Sequence, residues 1–356
     1  MSNLKSKIKL KISVHPYFLE FIHPFALAHG TRKGTQLAFV KIEFEGIVSF
    51  GEASLPPYRK ETVDSVKKWI ETQKEQVFSL LATNNPFKNN EDIPFSEEHP
   101  SASCALQTAI LNWYAIAKGK KLSDFFLPTN STPNLTLTIT KNDYEFIEEK
   151  LNLAEHFSHF KLKLTGSDDD LDFVKAIRNK TDISFCIDLN QGCKNQETAI
   201  ELINNLEKLQ CVLIEQPLKD TDHEGHYWLK QRAPLPIIAD ESICLYDDLI
   251  QFHEAYSGVN IKLMKCGGLF QAQKMIDFNP LIREKKFMKL LGCMAESSLG
   301  IATAAVLASQ CAMADLDAPF LTKNDPFKGF QIINKRIELD ERIELKNKML
   351  FLLNAQ

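Results

Sequence analysis

The sequence predicts an α/β protein in which a closed barrel of parallel strands and helices follows an α+β opening unit. Three observations carry this prediction. From about residue 134, short apolar runs alternate with amphipathic segments for roughly eight repeats. Such alternation indicates a parallel sheet with helical crossovers, and eight repeats suit a closed barrel better than an open sheet. The first 56 residues read instead as an antiparallel meander. Nearly every strand of the second part ends in a charged or amide side chain.

The opening unit can be justified element by element. Residues 8–14 alternate Lys with Ile8, Leu10, Ile12 and Val14, a strand pattern that lacks the apolar block of a signal peptide. Residues 36–44 alternate through Leu37, Phe39 and Ile42, and Gly46 then turns the chain into a third strand at 47–50. A loop is expected around His29, Gly30, Thr31 and Arg32. One helix is expected over 62–81, from Val63, Val66, Trp69, Ile70, Val77, Leu80 and Leu81, and another over 102–118. Residues 84–96 read as a loop. The stretch LPTNSTP at 127–133 reads as a linker, which places a boundary near residue 130. The opening unit is then 1–130 and the barrel 131–319.

In the barrel, strands are expected at 135–140, 159–164, 183–190, 212–217, 236–240, 259–264, 289–293 and, more weakly, 312–316. Helical spacing appears between them at 144–154, 171–178, 198–209 and 270–276.

Composition narrows the function. The chain has 356 residues, 44% hydrophobic and 25% charged, with 14 Gly and 15 Pro, which excludes a disordered, collagenous or repeat-biased protein. Net charge is 42 − 46 = −4 with dispersed Lys and Arg, so no nucleic-acid partner is expected. The longest apolar runs, at 211–214 and 301–308, fall far short of the ~20 residues of a membrane span. A cytoplasmic location follows as the expectation. Eight cysteines are scattered singly without a CxxC pair and read as reduced thiols. His156 with His159, and His223 with His226, are each three apart but lack further ligands nearby, so they read as surface residues.

Catalytic groups of such a barrel sit at the C-terminal ends of its strands. Here those ends carry Lys163, Asp188 with Asn190, Glu215, Asp240 with Glu241, Lys262, Glu296, and Asp315 with Asp317. The intervals from Lys163 to Lys262 are 25, 27, 25 and 22 residues, close to one strand-helix unit each, so the charges converge at one mouth. A single carboxylate there could merely cap the next helix. Three acids on successive strands, Asp188, Glu215 and Asp240, would repel unless a cation lay between them, and oxygen ligands suit Mg²⁺. Lys161 and Lys163 are two apart and share a strand face. Each ammonium, and a nearby cation, would lower the other's pKa and give an amine able to act as a base. Lys262 faces them from across the barrel, with Lys265 as an alternative. A lysine on each side is what removal of an α-proton from one face and its return on the other requires.

Five motifs in order, KxK at 161–163, DxN at 188–190, EQP at 215–217, ADES at 239–242 and NIKxxKxGG at 260–268, resemble the muconate-lactonising subgroup of the enolase superfamily. The resemblance implies a modified (β/α)7β barrel under an α+β cap completed by about residues 320–356. It implies Asp188, Glu215 and Asp240 as Mg²⁺ ligands and Lys163 and Lys262 as the acid/base pair. Lys161 would assist Lys163, and Asn190, Glu241 and Lys265 would support the first set.

Within that subgroup Asp315-Leu316-Asp317 looks like the DxD motif of dipeptide epimerases, in which the two aspartates bind the substrate's α-ammonium. The resemblance therefore implies 1,1-proton transfer at the α-carbon of the C-terminal residue of a dipeptide, in a homo-oligomeric enzyme. Thr138 and Glu296 are further candidates for contact with the substrate. In Ala-Glu epimerases of the family an Arg of the early cap loop grips the glutamate; alignment on Pro24-Phe25 puts Gly30 there, with Arg32 and Lys33 nearby but displaced. A glycine leaves room for a bulkier uncharged side chain against Phe25, Leu27 and His29. Hydrophobic dipeptides are thus expected, with L-Ala-D/L-Glu, or o-succinylbenzoate synthase or cycloisomerase chemistry, as alternatives.

Overall fold

The computed structural model describes residues 9–27, 30–83, 85–88, 90–127, 129, 131–280 and 286–346. Three long antiparallel strands, β1 (Lys11–Leu27), β2 (Gly30–Phe44) and β3 (Ile47–Leu55), form a sheet in the order β1-β2-β3. Eight parallel strands close a barrel: β4 (Asn134–Ile139), β5 (His159–Lys163), β6 (Phe185–Asp188), β7 (Cys211–Glu215), β8 (Ile237–Ala239), β9 (Gly258–Lys262), β10 (Met288–Gly292) and β11 (Met313–Ala314). A hairpin of β12 (Phe327–Ile333) and β13 (Arg336–Leu345) follows. Its Phe327 packs against Phe39 and Phe50 of the three-stranded sheet, with ring centroids 5.2 and 5.6 Å apart.

The cap departs from expectation in two places. The hairpin of β1 and β2 is much longer than the alternation suggested, with Leu27 paired to Gly30, so Gly30, Thr31 and Arg32 belong to a strand rather than a loop. His29 lies outside the described residues, as does the side chain of Leu27. The single helix expected over 62–81 is two, Val63–Thr72 and Lys74–Thr83, because Gln73 donates its backbone N–H to Ile70 and closes the first. The first begins with a capping box between Thr62 and Ser65.

Helix Pro100–Ala117 lies between the cap sheet and the barrel and is buried on nearly every side, which explains its continuous apolar sequence. The carboxylate of Glu61 accepts from the N–H groups of Ser101 (2.7 Å) and Ala102 (3.0 Å) at its start. Gly51 allows β3 to approach it, since a Cβ there would stand 1.8 Å from the carbonyl oxygen of Ala105.

Cap and barrel are joined by buried polar contacts. Ser54 Oγ donates to the carbonyl of Ala295 at 2.7 Å. Glu52 accepts from the N–H groups of Ser297 (2.9 Å) and Gly300 (3.2 Å) and from the Ser297 hydroxyl. Beside it Glu296 takes the Met294 N–H at 2.8 Å, while its Oε2 is buried with no hydrogen-bond partner among the described residues. Glu296 thus sits beneath the cap at 1% exposure and is absent from the cavity wall, which corrects its expected contact with substrate. Burial, reinforced by the charge of Glu296, pushes the Glu52 carboxyl well above the ordinary range, and burial raises Glu296 to about 7.

All eight cysteines are free. Among the described residues no helix is long and apolar enough to cross a membrane. His226 is not a surface residue: it is fully buried, with Nδ1 2.6 Å from the carbonyl of Asp222 and Nε2 accepting the Leu218 N–H at 3.4 Å.

Because Glu296 titrates near 7 when folded and at 4.5 otherwise, the native state holds the extra proton between those values, and stability is lost as pH rises through that window. Glu296→Gln should therefore flatten the decline and gain on the order of 1–3 kcal/mol over wild type at pH 8. Urea unfolding across the pH range measures this; profiles that run parallel would contradict it.

Candidate active site

The inward positions of the barrel alternate along each strand, and two layers result. Cys186, Leu213, Ile238, Leu290 and Met313 form an apolar floor. Two residues further along the same strands stand Asp188, Glu215, Asp240, Gly292 and Asp315. Strand register aligns Lys163 with Asp188 and Asp188 with Glu215, so they lie at one level. Lys163 ends β5 and Lys262 ends β9, four strands apart in an eight-stranded ring and hence on opposite sides.

Asp188, Glu215 and Asp240 are buried, and each offers an oxygen within 4.8 Å of the others. Burial and the negative charges of Asp188 and Asp240 raise Glu215 to about 8, even with Lys161 beside it. Asp188 and Asp240, equally desolvated, are held below the ordinary range by the lysines that touch them. The residues fit a hard divalent cation: three enclosed all-oxygen donors, one of which burial and then repulsion push toward protonation.

Lysines share this charge. Lys161 Nζ lies 2.9 Å from Glu215, 2.8 Å from Asp315 and 3.3 Å from Asp188. Burial pulls its pKa down, but Asp315, Glu215, Asp188 and Asp240 outweigh burial and hold it well above the ordinary value. Lys262, 2.6 Å from Asp240, is raised for the same reason. At Lys161 and Lys262 the neighbouring carboxylates therefore outweigh burial. Lys163 bonds Asp188 and lies 3.4 Å from Asn190 Oδ1. Lys265 is tied to Asp240 Oδ1 (2.5 Å) and the carbonyls of Asp240 and Ile243, so it braces Asp240, whereas the Lys262 ammonium contacts Asp240 Oδ2 and lines the cavity.

Above this layer lies a cavity of about 400 Å³ whose wall includes Lys163, Lys262, Asp240, Glu241, Asp315 and Asp317. Asp315 accepts from Thr136 Oγ1 and from Lys161, both at 2.8 Å. Asp317 accepts the backbone N–H of Thr138 at 2.5 Å, and Thr138 also lines the cavity. Burial and then the charge of Asp315 raise Asp317 to about 6. Two crowded carboxylates in a cavity suit a cationic ligand group.

The sequence model of the enolase C-terminal domain-like family matches residues 145–349. The chain belongs to that family. It is 33% identical over 347 residues to an L-Ala-D/L-Glu epimerase of Bacteroides thetaiotaomicron, covering 94% of this chain and 86% of that protein. It is 32% identical to a hydrophobic dipeptide epimerase of Enterococcus faecalis, covering 91% of each. The crystal structure of a dipeptide epimerase from Enterococcus faecalis, complexed with Mg and L-Leu-L-Tyr, superposes with a TM-score of 0.78 at 29% identity, covering 94% of this chain and 98% of that one.

Three features of this enolase-family site escaped sequence reasoning. Gln216, with φ of 38°, turns its amide oxygen to the N–H groups of Asp240 (2.9 Å) and Ser242 (3.2 Å) and so fixes Asp240; the EQP motif was the available signal. Asn260 donates to Glu215 at 2.9 Å from β9. Arg32, two residues beyond Gly30 on the same strand face, sends its side chain to the cavity between Phe21 and Tyr58, with centroid distances of 5.8 and 5.4 Å. Arg32 was expected to be displaced, and the extended β2 is what carries it inward.

Magnesium at millimolar concentration should raise the midpoint of thermal unfolding by several degrees through preferential binding to the folded state. Glu215→Gln, which removes one negative charge from the donor set, should abolish most of that shift in a calorimetric scan. An unshifted wild-type midpoint would refute the cation site.

Proposed function

We propose that the protein is a Mg²⁺-dependent dipeptide epimerase that moves one proton at the α-carbon of the C-terminal residue. The observation that carries this reading is Lys163 and Lys262 on opposite sides of the buried triad Asp188, Glu215 and Asp240, with Asp315 and Asp317 on the same cavity wall. The curated relatives, named as epimerases of L-Ala-D/L-Glu and of hydrophobic dipeptides, support it.

Asp188, Glu215 and Asp240 would hold Mg²⁺, which would supply positive charge against the negative charge that develops on the substrate carboxylate. One lysine, neutral at Nζ, takes the α-proton from its face; the other, as ammonium, delivers a proton to the opposite face. Asp188 holds the Lys163 ammonium and Asp240 that of Lys262, so the two ends can exchange roles with the direction of reaction. Asp315 and Asp317 hold the substrate's α-ammonium, whose charge offsets the burial and the repulsion that raise Asp317. Lys161, bonded to Glu215 and Asp315, links the metal ligands to the ammonium site.

Side-chain preference rests on the outer cavity. Phe21, Phe25, Met294 and Leu321 present an apolar wall, which suits a hydrophobic C-terminal residue. A second reading has a specific observation in its favour: Arg32 Nε and NH1 are buried without a partner among the described residues, and such donors are costly unless a ligand satisfies them. A carboxylate side chain, as in the L-Ala-D/L-Glu alternative, would do so. Cytoplasmic location accords with eight free thiols; homo-oligomerisation rests on the family resemblance.

Lys163→Ala and Lys262→Ala should each lower epimerisation by roughly 10²–10⁴-fold, measured as conversion of one epimer into the other, with α-deuterium incorporation in D₂O followed alongside. Persistent exchange in the double variant would refute the assignment. Asp315→Asn with Asp317→Asn should abolish dipeptide turnover; if activity on an o-succinylbenzoate precursor were found and survived that change, the synthase reading would replace this one. A dipeptide library screened by the same exchange, with Arg32→Met alongside, decides side-chain class. Loss confined to acidic dipeptides selects the Arg32 reading, and an unchanged hydrophobic profile selects the apolar one.

A further inference from the structure

We infer that Asn190 is a positioning residue for Lys163 alone, and that Glu241 fixes which way round the Asn190 amide sits. The inference rests on Lys163 being one of the two acid/base lysines.

Asn190 lies just beyond β6 with φ of 40°, a left-handed conformation that asparagine tolerates better than most residues. Its backbone N–H donates to Asp188 Oδ1 at 2.9 Å, so one turn of chain sets both the metal-ligand carboxylate and the amide. The amide bridges two unlike neighbours. Its Oδ1 lies 3.4 Å from Lys163 Nζ, and its Nδ2 lies 3.1 Å from Glu241 Oε1. An ammonium can only donate, and the Glu241 oxygen serves as acceptor, so only one orientation of the amide satisfies both. Reversed, it would set its NH₂ against the Lys163 ammonium and its oxygen against the Glu241 carboxylate.

Glu241 is linked to Lys163 through Asn190. It stands outside the triad of ligand oxygens, and its Oε2 is enclosed without a hydrogen-bond partner among the described residues. The contact to Asn190 is the one hydrogen bond its side chain makes there. Lys262 is held differently, by Asp240 Oδ2 at 2.6 Å while Lys265 takes Oδ1 at 2.5 Å, with no amide between. The relay therefore acts on one of two opposed lysines and so on one face of the substrate. What it supplies is an acceptor of fixed direction, which steers Nζ toward the reacting carbon rather than leaving it to follow Asp188 alone.

The test measures α-proton exchange in D₂O from each epimer separately, with calorimetric Mg²⁺ affinity as an independent readout. Lys163→Ala first identifies the face that Lys163 serves; if it causes no one-sided loss, the reading of Lys163 itself fails, apart from this inference. Glu241→Leu, which frees the amide to turn over, should slow exchange on that face about 10-fold, the scale of one hydrogen bond to a charged group, and leave the other face within about twofold. Glu241→Gln keeps an acceptor oxygen for Asn190 Nδ2 and should rescue the lost exchange to within about threefold of wild type. Asn190→Gly, compatible with the left-handed backbone, should repeat the one-sided loss. Magnesium affinity should remain within about twofold throughout. Equal slowing of both faces, a Gln variant as impaired as the Leu variant, or loss of metal affinity in step with exchange would overturn the inference.

Discussion

Three carboxylates enclosed within 4.8 Å of one another cannot all remain ionised unless positive charge lies among them, and the barrel mouth is arranged around that constraint. Lys161 and Lys163 face Asp188, Lys262 and Lys265 face Asp240, and Lys161 also reaches Glu215. Glu215, least compensated of the three, is the one raised to about 8. Lys161 and Lys262 thereby gain carboxylates that stabilise their charged forms, and a divalent cation entering the triad would compete for the same oxygens. Metal occupancy and the protonation of those lysines would then be coupled through shared partners.

The cap depends on the same region from above. Its β3 supplies Glu52 and Ser54 to the segment that follows β10, while β1 and β2 bring Phe21, Phe25 and Arg32 to the cavity. The charged groups stand on strand ends held in a hydrogen-bonded ring, and the outer cavity wall is completed by side chains of a separate sheet. This division lets one barrel serve many substrates, as is general for such folds.

Barrel strands were legible to within a few residues because each is an apolar run of limited length between amphipathic segments, a signal local to the chain. Charged residues at strand ends were legible for a related reason: the period-two alternation of a strand that buries Cys186 or Leu213 must turn Asp188 or Glu215 to the same side. The length of the β1-β2 hairpin was not. Pro16, Pro24 and Gly34 interrupt the alternation, yet pairing continues from Lys11 opposite Glu43 to Leu27 opposite Gly30 through an irregularity between Glu20 and Phe25. Glu296 was misplaced because a carboxylate after a strand looks the same whether it faces the cavity or turns beneath the cap.

The sequence by itself determined the ring: eight strands, their order, and the level at which Lys163, Asp188, Glu215, Asp240 and Lys262 converge, because these follow from periodicity and from spacing of about one strand-helix unit. Tertiary structure alone decided what each of those charges touches. Arg32 against Tyr58, Glu52 against Ser297, and Asn190 between Lys163 and Glu241 are meetings of segments far apart in the chain. No local pattern encodes them, since the cap and the barrel loops come together only when their separate apolar surfaces are buried against each other.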